Sequence, residues 1–92
     1  MKSKITKVDV MGMELEKWEL YSCVANFGVD VGYATLYDIE SKEQGKGHAT
    51  ELLIEAKRYY EGQGKEFGGT VALTKRMKDI YKRLNIKEYD YE

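Results

Sequence analysis

Ninety-two residues, 42% hydrophobic and 34% charged, make one globular domain of a size that buries roughly 60–65% of its unfolded surface. A net charge of −1 excludes a general nucleic-acid or membrane-surface binder, and no run approaches the ~20 apolar residues of a membrane span. The single cysteine, Cys23, excludes an intramolecular disulfide, and no apolar stretch of signal length follows the basic start Met1-Lys2-Ser3-Lys4, so a reducing, cytoplasmic location is expected.

In chain order, Lys4–Val10 reads as a strand and Met11-Gly12 as the turn of a hairpin into 13–17. Residues 18–27 are richer in strand formers, with Trp18, Leu20, Ser22, Val24 and Asn26 opposed to Glu19, Tyr21, Cys23, Ala25 and Phe27. Gly28-Val29-Asp30 is a second turn signal. Residues 31–40 follow, with Val31, Tyr33, Thr35, Tyr37 and Ile39 on one face. Three antiparallel strands in sequence is the economical reading.

The hydrophobic period then changes from 2 to 3.6. Over 49–62, Ala49, Leu52, Leu53, Ala56 and Tyr60 form one stripe of an amphipathic helix that Gly62-Gln63-Gly64 ends. Residues 67–73 make a short strand whose Gly68-Gly69 pair marks a weak or closely approached stretch. Thr74 caps a second helix, Lys75–Leu84, with Met77, Ile80, Tyr81 and Leu84 as its apolar stripe and Asn85 in the left-handed position after it. A last strand is expected over 86–91. The order is β-β-β-α-β-α-β, an α/β (α+β) mixed sheet with two helices.

The most informative segment is Gln44-Gly45-Lys46-Gly47-His48-Ala49, between a strand and a helix. Two glycines there let consecutive N–H groups turn into one concavity, at a helix N-terminus that favours an anion. A phosphate or pyrophosphate cradle is therefore expected. A Walker A loop does not fit, because Gly47 follows Gly45-Lys46 and no glycine stands five residues upstream. A dinucleotide fingerprint does not fit either, since Thr50 stands where a third glycine is needed.

Gln44, Gly47 and Ala49 do match the pattern Gln/Arg-x-x-Gly-x-Gly/Ala. This resembles motif A of the GNAT superfamily, the acetyl-CoA-dependent N-acyltransferases. Downstream, the segment from Thr74 to Ile86 is similar to the family's Asn-x-x-Ala-x-x-Leu-Tyr-x-x-Leu-Gly-Phe, keeping Tyr81 and Leu84 but placing Thr74, Met77 and Asn85-Ile86 where the family has Asn, Ala and Gly-Phe. The resemblance spans about residues 31–86.

It implies that the amides of Gly45, Lys46, Gly47, His48, Ala49 and Thr50, with Gln44 opening the loop, hold the pyrophosphate of acetyl-CoA or another acyl-CoA. Tyr37, Asp38 and Ile39 would pair with the pantetheine arm through their main chain, where two parallel strands splay apart. Tyr81 would protonate the departing thiolate, and Thr74 would take the place of an Asn that contacts the coenzyme. The implied activity is direct transfer of an acyl group to an amine on a small molecule or protein. The alternative is a non-catalytic CoA-binding or protein-interaction module of the same fold.

No general base is assigned: Asp30, Tyr33, Asp38 and Glu40 neighbour the strand, and none matches the family's glutamate. Family members usually begin with a strand and two helices that wall the acceptor site, whereas about thirty strand-like residues precede the motif here. Another subunit, or a large docked acceptor, would then supply the wall, and exposed strand edges favour a homodimer. His48 reads as a solvated loop histidine and Cys23 as a buried, inert thiol. One histidine and one cysteine do not suggest a metal site.

Overall fold

The computed structural model describes residues 1–43, 45–70, 72 and 74–89. Four strands, not three, precede the first helix: β1 Lys4–Val10, β2 Met13–Leu20, β3 Cys23–Val29 and β4 Tyr33–Ser41. Helix α1 (His48–Glu61), strand β5 (Glu66–Thr70), helix α2 (Lys75–Leu84) and strand β6 (Lys87–Tyr89) follow. The six strands form one mixed sheet in chain order, antiparallel from β1 to β4 and parallel from β4 to β6.

The extra strand comes from a turn without a glycine. Leu20 pairs with Cys23, so Tyr21-Ser22 is a two-residue hairpin loop, with Tyr21 at a φ of 53°. Such loops ordinarily recruit Gly, Asn or Asp at positive φ, and Tyr gives no such cue. The turn also reverses the phase expected across 18–27. Trp18 and Leu20 share a face with Cys23, Ala25 and Phe27 rather than opposing them. The Met11-Gly12 turn is as expected, with both residues at positive φ and the Asp9 carboxylate accepting from the Gly12 amide at 3.0 Å.

The second turn falls later than the sequence suggests. Gly28 and Val29 belong to the β3–β4 ladder, and Asp30, Val31 and Gly32 make the bend, closed by the Asp30 amide on the Tyr33 carbonyl at 2.8 Å. Gly28 stays in the ladder because the ring of Tyr37 lies over it, filling the space a side chain would take.

α1 crosses β2 to β5 with Leu52, Leu53, Ala56 and Tyr60 buried. Trp18 packs edge-on to Phe27, and Tyr60 lies against both rings and against Phe67. The indole N–H of Trp18 donates to the Tyr60 hydroxyl at 2.8 Å, which donates to the Glu16 carboxylate at 2.6 Å. A polar chain therefore runs from the core to its edge with every member satisfied. α2 buries Ile80 and Tyr81 on the same sheet face, over Gly69. Among the described residues no helix covers the opposite face, and none is long and apolar enough to cross a membrane.

Candidate functional site

β4 and β5 run parallel, so their C-terminal ends lie together and each leads into a helix N-terminus. Both helix N-termini therefore face the same end of the sheet. Two local features shape that end. First, Asn26 pairs with Asp38 while the neighbouring Phe27 pairs with Leu36, leaving Tyr37 as the extra residue of a bulge that bends β4. Second, among the described residues the β4–β5 ladder runs to Leu36 and Gly69, after which the Thr70 hydroxyl donates to the Tyr37 carbonyl at 3.5 Å while β4 continues to Ser41 against β3. Beyond the end of β5 lies an opening of about 230 Å³ lined by Tyr37, Asp38, Ile39, Thr70, Thr74 and Tyr81, among others.

Tyr81 forms one wall. Its hydroxyl donates to the Thr70 carbonyl at 3.1 Å, and its ring occupies the space over Gly69. Burial, with a smaller contribution from the Glu88 carboxylate, pushes its pKa up to about 12, so it is a neutral hydrogen-bond donor at physiological pH. Glu88 is itself fixed by accepting from the Ala72 amide at 2.9 Å. Thr74 caps α2, its hydroxyl accepting from the Met77 amide at 3.2 Å. Asp38 is held by the Asn26 side-chain amide at 2.9 Å, and Ile39 packs on the core.

The glycine loop lies at the same end of the sheet. Gly45 and Gly47 have φ of 81° and 75°, and a side chain at either would meet nothing within 4 Å. Gly47 caps α1 without a side chain, and the helix ladder begins with the Glu51 amide on the Gly47 carbonyl at 3.0 Å. The amides of His48, Ala49 and Thr50 precede that bond, as at any helix start. Ala49 directs its side chain to the core, leaving its main chain to the loop. Lys46 is exposed, and Gln44 lies outside the described residues.

Sequence reading missed two parts of this site. The first is an anchor: Ser22, in the unforeseen hairpin turn, ties down both ends of the loop. Its hydroxyl accepts from the Glu43 amide at 3.3 Å and lies 3.2 Å from Nδ1 of His48, while its carbonyl accepts from the Lys42 amide at 3.2 Å. His48 is thus half-buried against Tyr21, not a solvated loop residue.

The second is a cationic wall. A groove of about 450 Å³ separates the loop from α2 and is lined by Gly45, Gly47 and Thr50 on one side and by Lys75, Arg76 and Arg83, together with Asp79 and Ile80, on the other. Lys75 and Arg76 stand in the first turn of α2, which holds no acidic residue. Cations are unfavourable at that end of a helix dipole, by a few tenths of a kcal/mol each. Their presence at a helix start was the available signal.

Among the described residues no group of three or more His, Cys, Asp or Glu is arranged to hold a metal. Compared with protein-family models, curated proteins and solved structures, the chain matches none of them.

Proposed function

We propose that this chain binds an acyl-CoA across the ends of β4 and β5 and transfers the acyl group to an amine, as a GNAT-like N-acyltransferase. The observation that carries the reading is the opening at the C-terminal ends of β4 and β5, walled by Tyr81 and at the same end as the glycine loop. The loop amides and the cations of α2 supply the charge a diphosphate needs. The main chain of β4 at Asp38 and Ile39, which lines the opening past the end of the β4–β5 ladder, is where an amide-bearing arm such as pantetheine would pair.

In the transfer the amine nitrogen bonds to the thioester carbonyl carbon, the C–S bond breaks, and the proton lost by nitrogen ends on solvent or the sulfur. Tyr81 acts on the leaving sulfur. With a pKa of about 12 it is a weaker acid than a thiol of reference pKa near 8.5, so its contribution is a donated hydrogen bond rather than complete proton transfer. To give it, the hydroxyl turns from the Thr70 carbonyl toward the opening.

The uncovered sheet face favours a second reading, a CoA-binding module without turnover. Thermal unfolding with acetyl-CoA and with free CoA tests both. Ligand at 100 times its dissociation constant adds about 2.7 kcal/mol, a rise of roughly 10 °C or more at this size. No rise at millimolar coenzyme removes both readings. A rise accompanied by thiol release with an amine panel selects the transferase, and a rise without release selects the module.

A further inference from the structure

The ladder between β3 and β4 ends with Cys23 opposite Ser41, but hydrogen bonding continues past it. Ser22, one residue beyond, extends it twice. Its carbonyl accepts from the Lys42 amide at 3.2 Å, and its hydroxyl accepts from the Glu43 amide at 3.3 Å. The same hydroxyl lies 3.2 Å from Nδ1 of His48, the first residue of α1. A serine hydroxyl has one hydrogen and two lone pairs, so it serves the amide and the imidazole together, whichever tautomer the ring adopts. One side chain of the β2–β3 turn therefore bridges the exit of β4 to the entry of α1. The Ser41 hydroxyl also holds Glu43, donating to its carbonyl at 2.9 Å, but that bond stays on the β4 side of the loop.

Between the tether points lie Gly45, Lys46 and Gly47. Both glycines have positive φ, and an added Cβ at either would meet nothing within 4 Å. Gly47 supplies α1 with no capping side chain. Glycine has the greatest backbone freedom of any residue, so the shape of this segment is set from its ends. The turn that carries Ser22 is itself fixed. Leu20 and Cys23 on either side of it are buried in the core, and the Tyr21 ring lies against that of His48 with 4.7 Å between centroids.

A loop ordered in advance spares its ligand the entropy of ordering it. We infer that Ser22 is a positioning residue for the glycine loop, holding Glu43 and His48 at a set separation so that the loop is ordered before an anion arrives. The acyl-CoA reading supplies the identity of that anion, whereas the ordering itself needs no coenzyme. Ser22 does not line the opening beside Tyr81, so its effect falls on coenzyme affinity and not on turnover.

The test compares the unsubstituted chain with Ser22→Ala, which removes the hydroxyl, and Ser22→Thr, which keeps it. Ser22 lies outside the left-handed region, so a β-branched side chain is accommodated there. Without coenzyme, nitrogen-15 order parameters at Gly45, Lys46 and Gly47 are expected at about 0.8 in the unsubstituted chain and the Thr variant, and below about 0.6 in the Ala variant. Those of Leu52, Leu53 and Ala56 should stay near about 0.85 in all three, which establishes that each variant is folded. Calorimetric titration with CoA should find Ser22→Ala weakened about tenfold and Ser22→Thr within about twofold, while thiol release at saturating acetyl-CoA stays within about twofold in both. Equal loop order in the Ala variant and the unsubstituted chain overturns the inference. So does a Thr variant that behaves like the Ala variant, or a slowed rate at saturation with unchanged affinity. Because loop order is read without coenzyme, failure of CoA to stabilise the unsubstituted chain removes the acyl-CoA reading while the order parameters still decide the role of Ser22.

Discussion

The hydroxyl of Tyr81 donates to the carbonyl of Thr70 at 3.1 Å while its ring lies where a side chain at Gly69 would have to go. The neighbouring glycine does the same for another ring, with Tyr89 over Gly68. The Gly68-Gly69 pair thus receives one tyrosine on each face of β5. Gly69→Ala is expected to destabilise the fold by about 1–3 kcal/mol through overpacking. At about 4–8 °C per kcal/mol, its melting midpoint falls by roughly 5–20 °C. Combined with Tyr81→Ala, the two effects should be strongly non-additive in a double-mutant cycle, because the second change removes the ring the new methyl group meets. Additive effects would show that the ring does not rest on Gly69.

Burial of the same phenol has an alkaline signature. In the unfolded chain Tyr81 ionises near pH 10, and in the folded chain near 12. Tyr60 is shifted upward as well, by burial first and then by its bond to Glu16. Both phenols are neutral in either state below pH 10, so their stabilising contribution is complete there. As pH rises from 10 to 12 the unfolded chain releases protons that the folded chain retains, and stability falls. Urea unfolding between pH 9 and 11.5 should show this decline, and Tyr81→Phe should make it shallower. A slope unchanged by the substitution would place the hydroxyl in water.

The role in transfer is separable from the role in packing. Tyr81→Phe keeps the ring and removes only the donor, so CoA affinity should change little. A hydrogen bond to a charged acceptor contributes about 1.5–3 kcal/mol, so thiol release should slow by about 10- to 100-fold. Steady-state rates with the best amine from the panel decide the matter. A rate equal to that of the unsubstituted chain removes Tyr81 from the reaction.

What could be read in the sequence followed from strong local signals. Thr74 and Asn85 bound α2 as capping chemistry dictates, and Asn85 takes the left-handed conformation with a φ of 57°. The stripe from Leu52 to Tyr60 is buried as its period requires. The features that escaped depend on long-range packing. Tyr21 turns a hairpin with no turn-forming side chain, and that turn brings Ser22 to the glycine loop across some twenty positions of chain. The bulge at Tyr37 is likewise invisible in an alternating strand, yet it bends β4 where the cleft opens. Arg83 lies toward the other end of α2 from the helix start that marks Lys75 and Arg76 and carries no such signal, yet the fold sets it with them opposite Gly45 and Gly47.

The glycine loop offers a test that separates charge from shape. Gly47 has a φ of 75°, and an added Cβ would meet nothing within 4 Å, so the cost of substitution there is conformational rather than steric. Asn and Asp tolerate the left-handed region better than other side chains, at about 1 kcal/mol or less relative to glycine. Gly47→Asn and Gly47→Asp should therefore melt within a few degrees of each other. Their effects on coenzyme should differ. A carboxylate about 5 Å from a bound phosphate, at an effective dielectric near 20, is unfavourable by about 3 kcal/mol, or roughly a hundredfold in affinity. Calorimetric titration with CoA should find the Asn variant weakened modestly and the Asp variant by about that further factor, with the gap narrowing as salt is raised. Equal affinities would mean that no phosphate approaches the loop, and the diphosphate would have to be sought elsewhere along α2.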